Sequence, residues 1–155
     1  MRLTLLAAGT KLPAWVGAGC ADYAARFPPE LKLEIVEVAL GAHGKAEPAR
    51  AAREEGERIL ARLPRGVRLV ALEVNGQGWS SRDLARELER WTRDGRDVAF
   101  AIGGPEGLAP EVRQRAEQRW SLGPGTLPHG LARLVAVEQL YRAVTIVKGH
   151  PYHRG

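Results

Sequence analysis

The apolar residues fall into short, nearly continuous runs, and stretches with helical spacing separate them. Arg2 to Ala8 is such a run, bounded by Gly9, and predicts a buried strand. Pro13 suits the first turn of a helix, and Trp15, Val16, Cys20 and Tyr23 carry helical spacing until Pro28-Pro29 ends it. Leu31 to Val38 alternates and then turns apolar, so a second strand follows. Gly41-Ala42-His43-Gly44-Lys45 is a basic loop without P-loop spacing; it reads as a surface loop or, more sharply, as a disordered lid or RNA-contacting loop. Glu47 to Leu63 predicts a helix, closed by Pro64-Arg65-Gly66.

Val67 to Val74 predicts a third strand with apolar residues on both faces, as in a parallel sheet covered on both sides. Asn75-Gly76-Gln77-Gly78 predicts a turn. Ser80 to Asp83 has the capping-box pattern, and Leu84, Leu88 and Trp91 mark the buried stripe of a helix ending near Gly95. Asp97 to Ile102 is a fourth strand and Arg119 to Leu122 a fifth. A long amphipathic helix runs from about Leu131 to Val147, with Leu131, Leu134, Val135 and Tyr141 as its apolar stripe. The alternation gives an α/β class: a mainly parallel sheet flanked by helices, in a single domain over residues 1–155.

Composition narrows the function. A net charge of +5 and a pI near 9.9 favour an anionic partner, nucleic acid first, although a modest positive charge also serves solvation alone. The single Cys20 excludes an internal disulfide or a cysteine-based zinc site and reads as a small core residue. Leu3 to Ala8 is too short for a signal peptide and no run approaches a membrane span, so the expectation is a cytoplasmic protein without membrane contact.

Two glycine-bearing loops follow strands. Gly103-Gly104-Pro105-Glu106-Gly107 lets backbone approach a ligand, as does many a tight turn before a helix. Ser121-Leu122-Gly123-Pro124-Gly125-Thr126-Leu127-Pro128-His129 specifies one irregular path. Ligands of open α/β sheets sit at the carboxyl ends of strands, here near Leu72, Ile102 and Leu122. On the last helix, Glu138 and Arg142 are one turn apart: an ordinary surface pair, or an orienting acid with an arginine aimed at phosphate. The segment His150-Pro151-Tyr152-His153-Arg154 is either a frayed end or a set of groups suited to stacking on a base and moving a proton. Two histidines without carboxylates or cysteines beside them make no metal site.

Taken together, GGPEG, SL-x-x-x-TLPH, the V-x-x-E-Q-L-Y-R-A helix and HPYHR resemble the signature series of the RlmH-type SPOUT methyltransferases, as do AAGTKLPAWV and LERW-x-x-DGRDV. The resemblance spans essentially the whole chain. It implies a SPOUT-like fold with a C-terminal trefoil knot, a homodimer, and methylation of N3 of a pseudouridine in 23S ribosomal RNA within the assembled 70S ribosome. S-adenosylmethionine is the implied methyl donor and no metal is implied. The donor is expected against Leu72, Gly103, Leu122, Gly123, Pro124, Gly125, Thr126 and Leu127. Arg142, Tyr152 and His153 match positions linked to activity. On chemical grounds His153 suits removal of the N3 proton, Tyr152 stacking on the base or relaying the proton, and Arg142 an anionic base or its phosphate. The tail is expected to complete either its own site or the partner subunit's. The competing readings are a non-catalytic RNA-binding module and a small-molecule methyltransferase on a similar fold.

Overall fold

The computed structural model describes residues 1–41 and 47–154; the predicted lid or RNA-contacting loop therefore lies outside the described residues, apart from Gly41. These residues form five strands: β1 (Leu3–Ala8), β2 (Leu33–Val38), β3 (Arg68–Gly78), β4 (Val98–Ile102) and β5 (Gln118–Ser121). Five α-helices accompany them: α1 (Ala14–Ala25), α2 (Pro48–Ala61), α3 (Ser81–Asp94), α4 (Pro110–Arg115) and α5 (His129–Lys148). The sheet order is β2-β1-β4-β3-β5, and every pairing is parallel.

Both faces of the sheet are covered, which explains the unbroken apolar runs. Successive strand residues point to opposite sides. Leu3, Leu5, Val70, Leu72, Val98 and Phe100 face α1, α3 and α5, where Val16, Cys20, Leu88, Trp91 and Leu140 complete the layer. Leu6, Ala8, Leu69, Ala71, Ala99 and Ala101 face α2 and α4, through Ala52, Ile59 and Val112. Alanines fill much of this second layer, so α2 and α4 lie close to the sheet.

The local signals explain most boundaries. The Ser80 hydroxyl accepts the Asp83 N–H at 3.0 Å, and the Asp83 carboxylate accepts the Ser80 N–H at 3.0 Å. Such a cap is worth about 1 kcal/mol. Pro29 to Leu31 makes a short 3-10 turn, so β2 begins two residues later than its apolar pattern.

Three expectations are corrected. The Asn75–Gly78 turn is not a chain reversal. β3 continues to Gly78, and Leu72 and Gln77 both pair with Trp120, so Glu73 to Gly76 leave the ladder and return to the same rung. Trp15 is 57% exposed, while Val16 and Cys20 bury α1. On α5 the deeply buried line is Ala136, Val137, Leu140, Tyr141, Ala143 and Val144; Leu131, Leu134 and Val135 are only half-buried. The α5 helix is apolar nearly all round, so its spacing could not identify the inner side.

Candidate functional site

A cleft of about 360 Å³ opens at the carboxyl ends of β3, β4 and β5. Its walls include Leu72, Ile102, Gly103, Leu122, Gly123, Gly125 and Leu127. His129 and Ala132, from the first turn of α5, close one side. Six of the eight donor residues expected from the sequence thus come together here. Pro124 and Thr126 lie in the same loop but are exposed and do not line the cleft.

Backbone shapes this site. An added Cβ at Gly103 would overlap the Gly107 carbonyl carbon, so only glycine allows the 103–107 turn to fold against the end of β4. Gly123 holds φ at +128°, in a region that side chains disfavour, and the Ser121 hydroxyl accepts its N–H at 3.1 Å. The cleft also holds carboxylates. Glu73 faces Arg119 at 3.5 Å and Arg113 at 3.9 Å, and Glu106, in the 103–107 turn, also lines the cleft.

The expected catalytic residues are elsewhere. Arg142 lies 13 residues beyond His129 on α5, roughly 20 Å along the helix axis. There the tail is ordered, not frayed: Pro151–Arg154 form a 3-10 turn against α5. Tyr152 donates its hydroxyl proton to Glu138 Oε2 at 2.8 Å, and Arg142 donates to the same oxygen from Nε at 3.1 Å. The hydroxyls of Tyr23 and Tyr152 are 3.0 Å apart. Tyr152 has one proton and Glu138 receives it, so Tyr23 is the donor in that bond. Burial first, then the bond to the Glu138 carboxylate, raises the Tyr152 pKa well above the ordinary tyrosine value. The Tyr152 ring packs edge-on against Tyr141 at 4.8 Å between centroids, with the Arg142 guanidinium 5.1 Å from its centre. His153 Nδ1 is buried without a hydrogen-bond partner among the described residues.

Two buried charges escaped the sequence pattern. Arg133 is 3% exposed and donates to Glu37 and to the carbonyls of Ala8 and Gly9, tying α5 to the end of β1. Its position four residues before the core residue Val137 was the available signal. Glu55, on α2, is also 3% exposed, and its oxygens accept backbone N–H groups. Among the described residues no group of three or more His, Cys, Asp or Glu could hold a metal ion, and no helix is long and apolar enough to cross a membrane.

A parallel sheet covered on both faces, with a glycine-walled cleft at its strand ends, defines the class as an α/β protein. Comparison with known proteins makes the class specific. Residues 1–153 match the family described as "Predicted SPOUT methyltransferase". Ribosomal RNA large subunit methyltransferase H of Pseudomonas paraeruginosa and that of Pseudomonas aeruginosa PAO1 are each 56% identical to this chain over 155 residues. The counterpart from Pseudomonas putida F1 is 55% identical. Each alignment covers 99% of this chain and 100% of the relative. The chain belongs to the SPOUT methyltransferase family.

Proposed function

We propose that this protein transfers a methyl group from S-adenosylmethionine to N3 of a pseudouridine in 23S ribosomal RNA, as a cytoplasmic homodimer acting on the assembled 70S ribosome. The names of its full-length relatives support the ribosomal RNA substrate. The strand-end cleft is the observation that carries the donor assignment. Leu72, Ile102, Leu122 and Leu127 offer apolar walls to a nucleoside, and Glu106 offers negative charge to a cationic ligand. Bound there, the donor supplies a methyl group on a positively charged sulfur.

The protein's part is alignment and proton management. An in-line displacement gains most from fixed geometry. N3 of the base must lose its proton, and the half-exposed His153 imidazole is the group to accept it. The Tyr152 hydroxyl is committed to Glu138, so Tyr152 holds the tail and offers only its ring to the base. Arg142, oriented by Glu138, stabilises the anionic base or its phosphate.

The roughly 20 Å of helix axis between His129 and Arg142 favours a site shared between subunits: the tail of one protomer serves the cleft of the other. The outer side of α1 supports a dimer, since Ala14, Trp15, Gly17, Ala18 and Ala21 are all exposed there. The trefoil knot, with the cleft loops built into it, belongs to the same reading. The test is labelled methyl transfer to 70S ribosomes, isolated large subunits, free RNA and small acceptors. Transfer restricted to ribosomal RNA is expected; transfer to a small acceptor alone, or none with RNA bound, defeats the proposal. A mixed dimer of an Arg142→Ala subunit and a Gly103→Ala subunit should recover activity in one of its two sites, and no recovery argues against sharing.

A further inference from the structure

Glu55 sits on α2, outside the cleft, and plays no part in the chemistry above. A buried carboxylate is costly unless hydrogen bonds satisfy it. Here the partners are two backbone groups from separate segments: Oε2 accepts the Gly41 N–H at 2.9 Å, and Oε1 accepts the Gly104 N–H at 3.4 Å. Gly104 lines the cleft and begins the turn closed by the Gly107 N–H to Gly104 carbonyl bond of 3.0 Å. It is pressed against its support: an added Cβ would lie 2.7 Å from Leu40 Cδ2 and 3.0 Å from Glu55 Oε1.

The peptide plane carries the consequence. No peptide bond among the described residues is cis. In a trans peptide the N–H of one residue and the C=O of the residue before it point in opposite directions. Glu55 draws the Gly104 N–H toward α2, so the Gly103 carbonyl faces away from Glu55, on a residue that lines the cleft. That carbonyl accepts no backbone or side-chain hydrogen bond among the described residues.

We infer that Glu55 is a positioning residue for the donor site: by holding the Gly104 N–H it presents the Gly103 carbonyl to the cleft as a hydrogen-bond acceptor for the methyl donor. This rests on reading the cleft as the donor site. A glutamine of the same shape has one oxygen and turns an NH2 group toward the second N–H, so it holds only one of the two segments.

The experiment is calorimetry with S-adenosylmethionine on the intact protein, wild type and Glu55→Gln, beside steady-state methyl transfer on ribosomes. Glu55→Gln should weaken donor binding roughly tenfold, the usual scale for one hydrogen bond to a charged group. Turnover at saturating donor and the KM for ribosomes should stay within about twofold of wild type. Glu54→Gln, at the neighbouring and partly exposed position, should change neither. A merely structural Glu55 would lower the melting temperature and leave the donor affinity of the folded protein intact; that result overturns the inference. Should Glu55→Gln fail to fold, Gly104→Ala decides, because its methyl group crowds the Glu55 carboxylate at 3.0 Å: unchanged donor affinity overturns the inference, and a similar selective loss upholds it. A wild-type protein that binds no donor would instead sink the reading of the cleft.

Discussion

The two ends of α5 are built from different materials. Around His129 the surroundings are shaped by backbone: the 103–107 glycine turn and the irregular 121–129 loop at the strand ends. Around Arg142 they are side chains, a directed chain from Tyr23 through Tyr152 to Glu138 that Arg142 joins from the other side. A backbone wall tolerates most changes in its neighbours' side chains but no added atom where it touches itself. A side-chain chain tolerates bulk at its rim but depends on each proton having one donor and one acceptor. The first kind suits a ligand that must be held in one pose. The second suits a group that must be aimed.

The sharpest way to break this contrast is Arg142→Ala. Turnover on ribosomes should fall on the order of 100- to 1000-fold, as when a charge-stabilising donor is removed, with donor affinity unchanged by calorimetry. An equal fall in donor affinity would mean that the two ends are one unit. Next comes Gly103→Ala, the converse. Overpacking of about 1–3 kcal/mol should weaken donor binding by roughly tenfold to a hundredfold, while the tail cluster keeps its NMR signals. Tyr23→Phe removes the one hydroxyl that donates to Tyr152. A lost neutral hydrogen bond of about 1 kcal/mol predicts a roughly fivefold drop in turnover with no change in donor affinity.

The smallest effect is in the titration of the three tyrosines, Tyr23, Tyr141 and Tyr152. The folded pKa of Tyr152 is raised, so its contribution to stability is complete below the ordinary tyrosine value near ~10 and is lost progressively as pH climbs from there through the higher folded value. Tyrosinate absorbance should therefore show one late titration, absent in Tyr152→Phe. The absence of that late step in the wild type would mean that the cluster is loose.

Local features of the sequence were legible because their physics is local. Strand runs, proline stops and the Ser80–Asp83 cap act within a few residues, and each marks its element. The same holds for the strand-end glycines, which pointed to the cleft before any coordinates. What escaped depends on distant groups. Asn75-Gly76 carries a turn signal, yet β3 rejoins its neighbour because Gln77 meets Trp120. Glu55 and Arg133 answer to backbone groups far along the chain, and no periodicity encodes such partners. Nor does the HPYHR segment reveal that Tyr23, 129 residues earlier, holds it in place.

The detour at Glu73–Gly76 leaves the sheet and rejoins it opposite the same residue, Trp120. Its two ends are thus stapled at one point, and its length is uncoupled from strand registration. Gly76 packs against the Arg119–Trp120 backbone and Glu73 pairs with Arg119, so the free part of the detour is its tip, where Val74 stands 62% exposed at the rim of the cleft. For an engineer this is the natural place to graft a new loop. For evolution it is a place where insertions leave the core untouched.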